Sequence, residues 1–154
     1  MSILQVVKGC PIFYELYDQE IMKIVGLCRV LNLEPGDHVF KNGDTGNEIF
    51  LLLQGSASVM KGDLELAQLR KGDLFGEMVL LKENVRNADI RVNNFADVLV
   101  MDYEDIFGLY ERDTKIFSIL MLNLSRMLAT RLNGAGEMIG QLKRDLSNKD
   151  KKAA

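Results

Sequence analysis

Gly36-Asp37, Gly43-Asp44, Gly62-Asp63 and Gly72-Asp73 fall between short apolar runs, and this punctuation constrains the chain more than any other feature. Glycine supplies the positive φ that tight turns require, and aspartate can bond its own nearby backbone. The runs themselves, at 38–41, 49–54, 56–60, 64–69, 90–92 and 96–101, are apolar or alternating and separated by glycine. Runs of this kind predict strands. Many short strands joined by regular turns predict a sandwich, roll or barrel.

On either side the period changes. Phe13, Leu16, Tyr17, Ile21, Ile24 and Val25 follow the three-four spacing of one helix face, which predicts a short helix within an N-terminal segment, residues 1–27. Residues 28–101 then form the β-region, a roll or jelly roll of about eight strands. Beyond Met101, Asp102 is a plausible N-cap for a helix carrying Ile106, Leu109 and Tyr110 on one face. From about Thr114 the apolar positions Phe117, Leu120, Met121, Leu124, Leu128, Leu132, Ala135, Ile139, Leu142 and Leu146 advance in threes and fours, close to a heptad seam. The expected class is therefore mainly β with flanking α, its C-terminal helices over 102–147 and a frayed polar tail over 148–154. Gly134, Gly136 and Gly140 each cost the long helix about 1 kcal/mol relative to alanine. Close approach of a partner, room for a ligand, a hinge, or a break near Asn133 would each account for them.

Composition closes off several functions. At 154 residues and 47% hydrophobic content the chain has material for one domain and one sizeable core. Its 19 basic against 22 acidic residues leave a formal charge of −3, the wrong sign for a nucleic-acid binder, so no DNA partner is expected. Cys10 and Cys28, without a secretory leader, read as free thiols in a reducing compartment, and the expected location is cytoplasmic. No run is long enough to cross a bilayer, so no membrane partner is expected. A single histidine, His38, removes multi-histidine metal sites and with them a cupin-like metalloenzyme.

Chemistry concentrates in one stretch. Gly72-Asp73-Leu74-Phe75-Gly76-Glu77-Met78-Val79-Leu80-Leu81, continued through Arg86-Asn87-Ala88-Asp89, reads as a glycine turn, one apolar helical turn, a polar loop and a strand opening with arginine. A helix N-terminus offers unpaired N–H groups, and an arginine fork gives paired bonds to an oxyanion. A glutamate in the same turn can accept from sugar hydroxyls. Together they describe a pocket for a phosphorylated sugar.

These residues resemble the phosphate-binding cassette of cyclic nucleotide-binding domains, the sensor module of catabolite activators, kinase regulatory subunits and nucleotide-gated channels. The resemblance extends to Pro35-Gly36-Asp37 with Val39-Phe40, Gly43-Asp44-Thr45-Gly46, Ile49-Phe50-Leu51-Leu52 and Gln54-Gly55, and covers about Phe13 to Leu142. It implies a cassette over 72–90 in which Glu77 accepts the ribose 2′-hydroxyl and Arg86 pairs with the cyclic phosphate. Main-chain N–H groups of Gly76, Val79 and Asn87 complete the anion cradle, with Met78 counted among the nucleotide-binding residues. The final helix would close over the base, bringing Arg131, which either stacks on the base or reaches solvent, and Ala135. The implied ligand is cAMP or cGMP, with no metal or other cofactor and no catalysis.

The chain departs from the family pattern at several positions. Val85 stands where proline commonly precedes the arginine. Asp89 would repel a phosphate unless it turned to solvent, Lys82 or Arg91. Ala135-Gly136 occupies the place of a base-reading Thr-Ser pair, so the resemblance implies no side-chain hydrogen bond there. With the sequence ending at Ala154, no helix-turn-helix and no direct promoter recognition are expected. Taken without the resemblance, Glu77 and Arg86 could instead form an internal ion pair. The expected function is a cyclic-nucleotide sensor that transmits occupancy through its C-terminal helix, forms a homodimer along that helix, and acts on an unknown downstream protein. The alternative is a degenerate β-roll that binds no nucleotide and serves as a dimeric interaction module.

Overall fold

A computed structural model gives the architecture and describes residues 2–82 and 84–154; Met1 and Glu83, which fall within the predicted N-terminal segment and cassette, lie outside the described residues. Helix α1 (Ile3–Lys8), a 3-10 turn (Pro11–Phe13) and α2 (Asp18–Val25) precede eight strands. These are β1 (Arg29–Leu33), β2 (His38–Phe40), β3 (Glu48–Gln54), β4 (Ala57–Lys61), β5 (Leu64–Leu69), β6 (Leu74–Phe75), β7 (Asp89–Val92) and β8 (Ala96–Asp102). A second 3-10 turn (Glu77–Leu81) separates β6 from β7, and α3 (Tyr103–Arg112) and α4 (Thr114–Ala153) follow. The strands form two four-stranded antiparallel sheets, ordered β1-β8-β3-β6 and β2-β7-β4-β5. The expected β-roll with flanking helices is the fold observed.

Three of the four Gly-Asp pairs act through one local geometry. Gly36, Gly43 and Gly72 take φ of 91°, 89° and 93°, and the following aspartate N–H donates to the carbonyl three residues back. Each aspartate carboxylate then accepts from the N–H of that same residue: Asp37 from Glu34 at 2.8 Å, Asp44 from Lys41 at 2.9 Å and Asp73 from Arg70 at 2.8 Å. Backbone and side chain close the turn together, which is why the dipeptide recurs.

Strand alternation sorts the core into two layers. Phe50 and Leu52 of β3, Val98 and Val100 of β8 and Phe75 of neighbouring β6 face the second sheet, where Ile90 and Val92 of β7 meet them. Ile49, Leu51 and Leu53 of β3, with Leu99 and Met101 of β8, face the helices instead and pack on Ile21, Ile24, Ile106, Ile116 and Leu120. Central strands buried on both faces account for the unbroken apolar run 49–53. β5, at the edge of the other sheet, exposes Leu64 and Leu66.

The N-terminal segment departs from the expected single helix. Glu15 takes a left-handed φ of 69°, and α2 starts afresh at Asp18, where the Glu20 carboxylate accepts the Tyr17 N–H at 3.0 Å. Phe13 is buried through the 3-10 turn and Ile21 and Ile24 through α2, while Tyr17 is largely exposed. Buried Asn123 of α4 ties the first turn to the long helix, donating to the carbonyls of Ile12 at 3.0 Å and Tyr14 at 2.8 Å.

Helix α4 runs 40 residues without a break at Asn133, and the 148–154 tail, expected to fray, continues it through Ala153. At about 1.5 Å per residue it extends some way past the β-roll. Ile116, Leu120 and Leu124 are buried, but Leu128, Leu132, Ile139, Leu142 and Leu146 are exposed. Among the described residues no helix is long and apolar enough to cross a membrane.

Candidate nucleotide-binding site

The cassette is built by a short strand and a forced turn. Phe75 of β6 pairs with Phe50 of β3, and the two rings stack at 5.3 Å. Gly76 then turns the chain with φ 77°. A Cβ there would lie 3.0 Å from the Phe50 ring and 3.1 Å from both Arg86 Nη1 and the Glu48 carbonyl, so glycine is demanded by backbone and space alike. The 3-10 turn Glu77–Leu81 starts directly after it.

Arg86 is 6% exposed, and both of its terminal nitrogens have protein partners. Its Nη2 donates to the Glu48 carbonyl at 2.9 Å and to Glu48 Oε2 at 3.4 Å, while Nη1 reaches the Gly76 carbonyl at 3.4 Å. The guanidinium lies 4.4 Å from the Phe40 ring centroid and 5.5 Å from that of Phe50. Burial pulls its pKa below the ordinary value, and the Glu48 carboxylate opposes that shift. Glu48 in turn faces Arg29, whose Nη1 meets Asp102 at 3.3 Å.

Glu77 pairs with a different arginine. Arg131 of α4 donates from Nη1 to Glu77 Oε1 at 2.9 Å and from Nη2 to the Leu74 carbonyl. Arg131 remains exposed yet binds the cassette, and the Glu77–Arg86 pair that the residues alone allowed does not form. The long helix is fastened to the cassette through a carboxylate within it.

A cavity of about 570 Å³ opens between these parts. Gly76, Glu77, Met78, Arg86, Asn87 and Arg131 all line it, against an apolar wall that includes Phe40, Val59, Leu69 and Ile90. Its volume lies in the range of small-molecule sites. Two anticipated residues lie elsewhere. Val79 is 4% exposed in the layer between the sheet and the helices, and its N–H sits 3.5 Å from the Gly76 carbonyl. Ala135 is exposed one turn beyond Arg131 and is not in the cavity wall. Asp89 turns its carboxylate to the Asn42 N–H at 2.7 Å, so its negative charge is held by the β2–β3 loop, not by Lys82 or Arg91.

Glu48, Phe40 and Asn42 were not anticipated from sequence. The available signal for Glu48 is an acidic residue opening an otherwise apolar strand, and for Phe40 its place in the family's strand and turn signature; for Asn42 there is none beyond its place in the turn.

Antiparallel rolls of this form, carrying a glycine-turned cassette with a buried arginine and a helix latched to it, define a class of small regulatory ligand-binding modules. A family profile described as "Cyclic nucleotide-binding domain" matches residues 30–113, and the chain belongs to that family. It is 30% identical over 133 residues to the cyclic AMP receptor protein of Thermus thermophilus, covering 83% of this chain and 60% of that protein. It is 36% identical over 84 residues to a cGMP-dependent protein kinase of Toxoplasma gondii, covering 54% of this chain and 8% of the kinase. The chain thus spans less than two thirds of these relatives. Among solved structures, the catabolite activator protein of Thermus thermophilus superposes with a TM-score of 0.73 at 28% identity, covering 86% of this chain and 63% of that one.

Proposed function

We propose that this chain senses cAMP or cGMP, without catalysis of its own, and passes occupancy to α4. In this reading the cyclic phosphate lies on Arg86 and the cassette N–H groups of Gly76 and Asn87, and the ribose 2′-hydroxyl donates to Glu77. The observation that carries it is the Glu77–Arg131 ion pair, because the carboxylate assigned to the sugar is the one that fastens the long helix. A ribose hydroxyl arriving at Glu77 alters that contact, so occupancy and helix position are linked. Ala135-Gly136 provides no side-chain hydrogen bond to a base, which leaves adenine and guanine to be read by stacking and by the cavity wall. The exposed three-four stripe Leu128, Leu132, Ala135, Ile139, Leu142 and Leu146 supports a homodimer along α4, since a second copy is the usual way to cover such a face. Negative net charge argues against direct DNA recognition, and cytoplasmic residence fits two unpaired thiols.

One observation favours the second reading, a β-roll that binds no nucleotide and acts as a dimeric interaction module. Arg86 and Glu77 each have a protein partner already. Calorimetric titration with cAMP, cGMP and cyclic dinucleotides separates the two. Saturable binding of a cyclic mononucleotide, with a raised melting temperature, is expected; no heat and no thermal shift with any of them would leave the interaction module.

A further inference from the structure

We infer that Asn42, in the loop between β2 and β3, is a positioning residue for the anion cradle, setting the direction of the Asn87 N–H. The inference rests on reading the cavity as a cyclic-phosphate site. Two contacts converge on the carbonyl of the peptide joining Arg86 to Asn87, and a third on the carbonyl that follows it. Gly43 N–H donates to the Arg86 carbonyl at 2.8 Å. The Asn42 side-chain amide, with its nitrogen toward the cassette, donates to the same carbonyl at 3.1 Å and to the Asn87 carbonyl at 3.2 Å. The reverse orientation would set amide oxygen against both carbonyl oxygens, so the hydrogen-bonding partners choose the rotamer.

A trans peptide holds its C=O and N–H in opposite directions. Fastening the Arg86 carbonyl to the β2–β3 loop therefore turns the Asn87 N–H away from that loop. The cavity is on that side: Arg86, Asn87 and Ala88 line it, and none of residues 41–47 does. The same loop residue disposes of the nearby acid. The Asn42 main-chain N–H binds Asp89 Oδ1 at 2.7 Å, holding a carboxylate that would otherwise stand two residues from the phosphate donor. Asn42 thus turns a donor in and an anion out, from a residue that does not itself line the cavity.

The test uses the full chain and three probes: cAMP and its Sp and Rp phosphorothioates, in which sulfur replaces one or the other exocyclic oxygen. A donor aimed at one exocyclic oxygen distinguishes the diastereomers, whereas general loosening of the fold does not. Asn42→Ala is expected to weaken cAMP binding about tenfold, the weight of one hydrogen bond to an anion, and to shift the Sp to Rp affinity ratio at least about threefold. Asn42→Leu, of similar size, uncharged and without the N–H donors, is expected to do the same and carries the test should the alanine variant fail to fold. Equal loss for both diastereomers, or unchanged affinity and ratio, overturns the inference while leaving the binding function intact. Should the unmodified chain bind cGMP and not cAMP, the Sp and Rp phosphorothioates of cGMP are the probes; failure to bind either cyclic nucleotide overturns both.

Discussion

Arg131 and Glu77 lie 54 residues apart in sequence and meet at 2.9 Å, joining the long helix to the cassette. Because Arg131 is substantially exposed, the pair contributes little to stability, about 0–1 kcal/mol. Its consequence is positional. Arg131→Ala is expected to leave the melting temperature within a few degrees of the parent. It should nevertheless make α4 beyond Met127 more accessible to protease in the absence of nucleotide. Identical digestion of parent and variant would remove Arg131 from the coupling between site and helix.

Arg86→Ala removes the charged donor assigned to the phosphate. Hydrogen bonds to charged groups contribute about 1.5–3 kcal/mol, so cyclic-nucleotide affinity should fall by at least about tenfold. Arg86→Lys should recover only part of it, since an ammonium lacks the planar fork. Calorimetry on both variants checks the order. Parent-like affinity in the alanine variant would place the phosphate elsewhere.

Gly76→Ala meets two penalties at once, a left-handed backbone and a Cβ pressed between the Phe50 ring, Arg86 and the Glu48 carbonyl. The expected destabilisation is about 2 kcal/mol, read by urea unfolding. Gly134→Ala serves as the contrast. Its added Cβ meets nothing within 4 Å, and the helix there should gain up to about 1 kcal/mol in the monomer.

The exposed α4 stripe sets the expectation for assembly. Leu132 is 74% exposed, so Leu132→Asp should barely disturb the fold of one chain yet abolish the dimer. Light scattering at micromolar concentration on the intact chain and on Leu132→Asp decides it. A monomer in both cases would leave the stripe for a different partner.

Burial raises the Cys10 thiol from an ordinary value near 9 to about 11, and Cys28 to about 12. At pH 8 only about one Cys10 in a thousand is a thiolate, so both cysteines should react with a disulfide reagent far more slowly than in the unfolded chain. The linkage runs one way. The folded state holds these protons more tightly, so the associated stability is present below the unfolded thiol value and is lost as pH rises from about 9 through 11–12. Denaturant midpoints measured between pH 8 and 11 should fall, and should fall less in Cys10→Ala and Cys28→Ala.

The turns were legible in the chain itself because their physics is local. Gly36-Asp37 closes a loop on Glu34 three residues away, and nothing distant is needed to form it. The same holds for the buried strands, since an unbroken run such as 49–53 has few places to go except between two layers. Glu77 and Arg86 were legible as a pattern, through spacing and resemblance, but their partners were not. Glu48 meets Arg86 across 38 residues, Asn123 reaches Ile12 across 111, and Arg131 reaches Glu77 across 54. Such contacts depend on how sheets and helices are stacked, which no local period encodes. The short N-terminal helix is present as α2 but starts only at Asp18, for a related reason: Phe13 and Ile21 share a helical spacing, yet the left-handed turn at Glu15 lets separate elements bury them. Local sequence determined which segments turn and which extend, because those choices are settled within a few bonds. Tertiary structure alone decided which charges meet, because an ion pair exists only after the intervening chain has been packed.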